Sequence, residues 1–168
     1  AYTFKFAVEN NGDADNILRL EMDGSDAVDS SGGVLLRALS VRAVAILRPD
    51  STGNYRLDYE NSRKVYLADA AAGEASEVFS SVLPGVVSAQ KSGDPSVNCL
   101  DYWLIVTMEP RDAVNAHIRA LNAGREAAGE TLLDEIDEAT YNALAGKTLT
   151  GLAFRVVFDV TSDLIHGG

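Results

Sequence analysis

Apolar and polar residues alternate along several segments in the first part of the chain, which predicts β-strands there. Thr3 to Val8 alternates, and so does Asn16 to Met22, with Leu18, Leu20 and Met22 on its apolar side. The residues at 10–13 are Asn, Asn, Gly and Asp, which favour a tight turn. The pattern therefore predicts an N-terminal β-hairpin.

The most β-prone run extends from Val34 to Leu47, after a loop over 23–33. Polar residues at 49–54 predict a turn, and Tyr55 to Tyr59 and Lys64 to Leu67 then predict returning strands. Residues 69–98 have no clear period, and we interpret them as a strand or short helix near 77–88 followed by a long loop. Leu100 to Met108 predicts a further strand.

The period changes to that of a helix at Pro110, because Val114, Ile118 and Leu121 recur at helical spacing. This helix is predicted to end near Asn122 or Ala128, with glycines at 124 and 129 as possible ends. A second helix is predicted from Thr131, capped by its hydroxyl, to Gly146.

The alternation of a β-strand returns near the end of the sequence, at 152–160, where every second residue is apolar. Strands followed by helices indicate the α+β class rather than alternating βαβ units. We therefore predict one domain over 1–168: 1–108 mainly β as an antiparallel sheet with the N-terminal hairpin, 110–145 as two helices, and 150–161 as an additional C-terminal strand. The apolar side of that strand consists of Leu152, Phe154, Val156, Phe158 and Val160.

Basic residues are concentrated in one part of an acidic chain whose net charge is −11. Six of the 14 Lys and Arg residues lie at 37–64 with three acidic residues, so this segment carries 6 − 3 = +3. Strand alternation would put Ser40, Arg42 and Arg48 on one side, with Arg56 on the returning strand. The pattern indicates a local anion-binding face, although a solvated hairpin with incidental arginines explains it too.

The chain offers little for catalysis, metal binding or a cofactor. Its histidines are His117, on the first predicted helix, and His166, and its one cysteine is Cys99. A lone helical histidine usually marks the boundary of an apolar stripe, and one cysteine with two distant histidines does not make a zinc site. Apolar runs such as Trp103 to Val106 are too short to cross a bilayer. We expect neither an enzyme, nor a metal, nor a cofactor, nor a membrane partner.

Several short sequence segments, taken in their order along the chain, resemble the coat proteins of small single-stranded RNA bacteriophages. The segments that carry the resemblance are Phe6 to Gly12, Leu39 to Arg42, Asn54 to Leu57, Gly93 to Val97 and Leu132 to Asp137. They are similar to the first hairpin, the two arms of the central hairpin, the loop before the last sheet strand, and the second helix of that family.

The resemblance implies a homodimer whose sheets join edge to edge and that assembles further into an icosahedral shell in the host cytoplasm, becoming part of the virion. It also implies that the inner sheet face binds single-stranded viral RNA. Carried over residue by residue, the family's RNA-contacting strands correspond here to Arg37, Ser40 and Arg42 on one strand and Arg56 on the next.

Two features depart from the family pattern, namely the acidity and the strand from Leu152 to Val160. They keep a second hypothesis open: a subunit of another polymer, such as a pilin-like filament or a phage tail tube. In such a polymer the strand from Leu152 to Val160, or Thr3 to Val8, would complete the sheet of a neighbour. A monomeric domain that binds a small molecule, or an enzyme, is the third alternative.

Overall fold

A computed structural model describes residues 1–9, 16–24, 26–47, 52, 54, 56–60, 62–71, 86–87 and 99–160. Within these ranges the chain forms strands and helices in the mixed order of an α+β protein. The strands are β1 (Tyr2–Glu9), β2 (Asn16–Asp23), β3 (Val28–Asp29), β4 (Leu39–Leu47), β5 (Arg56–Asp58), β6 (Lys64–Tyr66), β7 (Val86–Val87), β8 (Cys99–Met108), β9 (Leu149–Thr150) and β10 (Ala153–Val160). The helices are α1 (Val34–Ala38), α2 (Leu67–Ala71), α3 (Arg111–Ala127) and α4 (Glu138–Asn142).

The largest sheet is antiparallel and has the order β1-β8-β4-β5, with β6 also paired to β4. Strand β8 lies at its centre, because it pairs with β1 along Cys99–Val106 and with β4 along Asp101–Met108. Strands β5 and β6 pair with different parts of β4, on its other side. The predicted antiparallel α+β class is confirmed.

The predicted N-terminal hairpin is wrong, because β1 and β2 belong to different sheets. Strand β2 pairs with β10 over eight residues and with β7 over two, whereas β1 pairs with β8. Strand β1 is part of the large sheet, whereas β2 and β10 each bury one apolar side against that sheet. The predicted turn at 10–13 lies outside the described residues.

The main core lies between these two sheets. Leu20 and Met22 of β2 are buried against residues of β4 and β8, including Val41 and Tyr102, and Phe154 of β10 packs at their margin. Burial raises the pKa of the Tyr102 hydroxyl to about 12. The alternation predicted for β2 and β10 therefore has a structural purpose, which is to cover one side of the large sheet.

The β-prone run from Val34 to Leu47 begins as a helix, which corrects the prediction of a continuous strand. Polar groups that precede α1 cap its first turn: Asp29 Oδ2 accepts from the amide of Leu36 at 3.0 Å, and Ser31 Oγ accepts from the amide of Leu35 at 2.7 Å. These hydrogen bonds favour a helical turn, and they outweigh the strand preference of its residues.

We expect Asp29→Asn to lower the free energy of unfolding by about 1 kcal/mol at pH 7, because both carboxylate oxygens accept hydrogen bonds and the amide nitrogen that replaces one of them cannot. Burial raises the pKa of Asp29, but hydrogen bonds from Ser31, Leu36 and Gly33 outweigh it and lower the pKa below its ordinary value. The contribution is therefore complete above the carboxyl's unfolded pKa and is lost as the pH falls through the folded pKa. Urea unfolding at pH 7 and at pH 3 measures this, with the exposed Asp26→Asn as control. A deficit that persists unchanged in acid would contradict it.

The first predicted helix is confirmed as α3 and ends at the second of its two candidate glycines. Gly129 has φ +72°, and its amide donates to Glu126 O while that of Glu130 donates to Arg125 O. This is the Schellman arrangement, which requires a left-handed residue and therefore favours glycine.

The second predicted helix is wrong in its first half, since residues 128–137 are not helical and α4 begins after Asp137. Asp137 Oδ1 accepts from the amide of Thr140 at 2.7 Å, and this hydrogen bond lowers the pKa of the Asp137 carboxyl. The cap predicted at Thr131 is therefore replaced by one six residues later.

Two asparagines of α3 hold the non-helical segment 128–137. Asn115 donates to Ile136 O at 3.0 Å and accepts from Ile136 N at 2.8 Å, and Asn122 does the same with Leu133 at 2.8 Å in both directions. Seven helical residues span about 10.5 Å, and three extended residues span about 10 Å, so the two spacings match. Side chains thus satisfy backbone groups that a helix would otherwise have paired.

A second core forms where α1, α3 and α4 meet one end of the large sheet. Its buried members are Leu35, Ala38, Tyr66, Val114, Ile118, Ile136 and Leu144. The predicted strands at 55–59, 64–67, 100–108 and 152–160 are confirmed with small shifts in their bounds. Of the segment near 77–88, only Val86–Val87 is described, as β7, and most of the predicted turn at 49–54 lies outside the described residues.

Candidate nucleic-acid interface on the large sheet

The large sheet has a second side, opposite the one covered by β2 and β10. The register places Arg42 beside Ile105 and Lys64, Val44 beside Trp103, and Trp103 beside Lys5. Cross-strand partners share a side of the sheet. We call this side the Arg42 face: it comprises Thr3, Lys5, Ser40, Arg42, Val44, Lys64, Trp103 and Ile105, with Tyr59 beside Arg42.

Cations on the Arg42 face lie against aromatic rings. Lys5 Nζ is 5.0 Å from the centroid of the Trp103 ring, and the Arg42 guanidinium carbon is 5.8 Å from that of Tyr59. Lys5 and Tyr59 are exposed, whereas Arg42 and Trp103 are half-buried. The face therefore combines positive charge with flat rings, both of which can contact single-stranded nucleic acid.

Arg42 and Lys64 occupy neighbouring strands and are held by different partners. Arg42 Nη1 donates to Ser62 Oγ at 3.1 Å, and Ser62 Oγ in turn donates to Tyr59 O at 2.9 Å. Lys64 Nζ forms an ion pair with Glu109 Oε2 at 3.1 Å. Arg42 is consequently oriented without being neutralised, while part of the Lys64 charge is compensated.

Ser40 has a structural role at the edge of the Arg42 face. It is 2% exposed, and its hydroxyl donates to Glu109 Oε1 at 2.5 Å. Glu109, itself buried, also receives Lys64 on its other oxygen. Ser40 therefore satisfies a buried carboxylate and does not present its hydroxyl to a ligand.

The structure does not bring together the four residues predicted to contact RNA. Ser40 and Arg42 share one side of β4, but Arg37 lies in α1, where its Nη1 donates to Asp134 O at 3.3 Å. Arg56 pairs with Leu47, an odd-numbered position of β4, so it points to the side opposite Arg42. The predicted common surface is therefore corrected to Arg42 with Lys5 and Lys64.

Sequence reasoning missed Lys5 and Trp103 as members of this surface, and it favoured a core-facing position for Tyr59, which is exposed beside Arg42. Lys5 was assigned to a hairpin with β2, whereas it lies beside Trp103 only because β1 pairs with β8. Within the described residues, neither Lys5 nor Arg42 has a carboxylate within ion-pair distance. Asp101 lies on the same side of the sheet by register and contributes a negative charge to this surface.

Comparisons with protein-family models, with curated proteins and with solved structures gave no match. Among the residues that the structure describes, no three His, Cys, Asp or Glu side chains are grouped so that they could hold a metal ion. In those same ranges, no helix combines the length and apolarity needed to span a bilayer.

Proposed function

We propose that this chain is a capsid protein that assembles through homodimers into an icosahedral shell and binds single-stranded viral RNA on the Arg42 face. The observation that carries the proposal is the juxtaposition of Lys5 with Trp103 and of Arg42 with Tyr59 on that face. Cations contact phosphates and the rings stack on bases, so the combination suits flexible RNA without requiring a particular sequence.

The net charge of −11 also bears on this proposal. A single copy with so few cations is a weak ligand for a polyanion. Copies joined in a shell present many such faces to one RNA molecule, and their contacts add through a high effective concentration. Binding that depends on assembly is therefore the expected behaviour of a capsid protein with an acidic body.

Strand β1 supports self-assembly because it forms an edge of the large sheet: within the described residues it pairs with β8 alone. Its Tyr2 and Phe4 side chains are 78% and 57% exposed. A flat edge strand with exposed aromatic residues is a template for pairing with another chain. Edge pairing between copies would bury these rings and would continue the sheet.

The same edge favours a second candidate, a subunit of a filament or tail tube assembled by strand exchange. Within the described residues β1 and β10 are each an edge strand that pairs with one neighbour over eight residues, so either could complete the sheet of another copy. Closed shells and open filaments differ only in the symmetry of the contact between copies.

Size-exclusion chromatography and negative-stain microscopy of the expressed protein test the proposal. We expect closed spherical particles that absorb strongly at 260 nm and lose that absorbance after treatment with alkali and dialysis. Filaments would favour the second candidate. A monomer without nucleic acid over the accessible concentration range would refute both.

As a matched pair of variants, Phe4→Lys should prevent assembly, because it puts a charge at the exposed edge of β1. Leu132→Lys, which puts the same charge at another exposed apolar residue far from β1 in sequence, should leave assembly intact. If both variants assemble like the parent protein, β1 is not the contact between copies.

A further inference from the structure

A separate cavity of about 380 Å³ lies between α1, α2, α3 and the segment 128–137. Its volume falls within the range of roughly 300–1,000 Å³ that is usual for small-molecule sites. The residues used below are Arg37, Tyr66, Asp69, His117, Leu121 and Arg125, all of which line it.

One wall of this cavity consists of stacked rings. The centroids of Tyr66 and His117 are 4.0 Å apart, and their planes differ by 8°. His117 Nε2 lies 2.7 Å from Asp69 Oδ2, and the Tyr66 hydroxyl donates to Ala113 O at 3.4 Å, so both rings are fixed in place. Together with Leu121 they form part of a largely apolar lining.

The two arginines are oriented by the opposite wall. Arg37 donates to Asp134 O at 3.3 Å, and Arg125 donates through Nε to Thr131 O at 2.7 Å. That wall is itself held by Asn122, whose amide pairs with both backbone groups of Leu133. The cationic groups therefore line the cavity before any ligand arrives, which lowers the entropic cost of binding.

The two arginines differ in how much of their charge and how many of their hydrogen-bond donors remain available to a ligand. Arg125 Nη1 forms an ion pair with Glu130 at 3.2 Å, which compensates its charge. Arg37 has no ion pair within the described residues, and one hydrogen bond occupies one of its five donors. Arg37 thus supplies a guanidinium without an ion pair, in a cavity whose lining carboxylate, that of Asp69, is engaged by His117.

We infer that this cavity binds a small organic anion with a planar apolar body, such as an aromatic carboxylate. The ring of the ligand packs against Leu121 and the stacked Tyr66 and His117, and its carboxylate accepts hydrogen bonds from Arg37. Guanidinium groups match carboxylates in geometry as well as in charge. The site adjoins the Arg42 face, because Lys64 Nζ lies 5.4 Å from the centroid of the Tyr66 ring. Binding in the cavity does not require RNA or assembly.

Isothermal titration of the whole protein with naphthoate, against its neutral isostere naphthamide, tests the inference. We expect naphthoate to bind and to raise the melting temperature, and naphthamide to bind at least about tenfold more weakly, because it lacks the charge. Equal binding of the two probes, or no binding of naphthoate at millimolar concentration, would overturn the inference.

Two variants and one control locate the binding. Arg37→Gln should weaken naphthoate at least about tenfold, whereas Arg119→Gln, an exposed arginine on α3 that pairs with Glu135 outside the cavity, should leave it unchanged. Leu121→Trp should fill the cavity and abolish binding while Arg37 stays in place. Circular dichroism confirms that each variant is folded. Retained binding in a folded Leu121→Trp variant would place the ligand elsewhere and overturn the inference.

Discussion

Replacing both Lys5 and Arg42 with glutamine should weaken the binding of single-stranded RNA roughly a hundredfold at low salt. Each substitution removes one charge-assisted contact to phosphate, worth about 1.5 kcal/mol, and the two together correspond to about 3 kcal/mol. The dependence of log K on log salt should become shallower by about 1.4, because about 0.7 counterions are released per phosphate of a single strand. Fluorescence anisotropy of a labelled RNA oligomer, titrated at several salt concentrations, measures both quantities.

Arg56→Gln is the matched control for the Lys5 and Arg42 substitutions. It also removes a positive charge from the large sheet, but Arg56 points to the other side by register. The net charge of the protein changes in the same direction, so a general electrostatic effect would appear in both. If Arg56→Gln weakens RNA binding as much per charge removed as the double variant does, the Arg42 face is not the RNA-binding surface.

Asn115→Ala should lower the free energy of unfolding by about 3 kcal/mol. The substitution leaves the amide and the carbonyl of Ile136 without their side-chain partners, and both hydrogen bonds are buried. Each unsatisfied buried group costs about 1–3 kcal/mol, and water cannot readily replace the lost amide there. The midpoint of urea unfolding should fall without a change in its slope.

Asn122→Ala provides the comparison, because it breaks the same pair of hydrogen bonds at Leu133 in a half-buried position. Water can reach those groups, so we expect a loss of about 1 kcal/mol. The difference between the two losses in free energy of unfolding thus measures the effect of burial, because both variants remove the same pair of hydrogen bonds. Equal losses would show that the two pairs do not differ in solvent access as the structure implies.

Much of the fold could be predicted from the sequence where a single period extended over a whole element. Strand β8, helix α3 and strand β10 were found in this way, because each has one regular apolar side. Helix α1 was missed since its capping groups, Asp29 and Ser31, lie in a loop and act through hydrogen bonds that no period reveals. The extended course of 128–137 was missed for a similar reason, as it depends on Asn115 and Asn122 of α3.

The candidate surface could be predicted only in part. Alternation along β4 correctly placed Arg42 on the same side of the sheet as Ser40. It could not indicate which strands pair with β4, or in what register. The contribution of Lys5 depends on the pairing of β1 with β8, and the side taken by Arg56 depends on the register with β4. The pair formed by Asp69 and His117 links residues that are far apart in sequence, and no local pattern indicates it.

The pairing of β2 with β10 has a consequence for the order of events during synthesis. Most of the chain lies between these two strands, so the layer that covers the large sheet is completed only after the residues of β10 have left the ribosome. Contacts between residues so distant in sequence form slowly, because a long loop must close first. Until then Val41, Tyr102 and their neighbours stay open to other apolar surfaces, and this interval is when the nascent chain is most exposed to chaperones and to wrong partners.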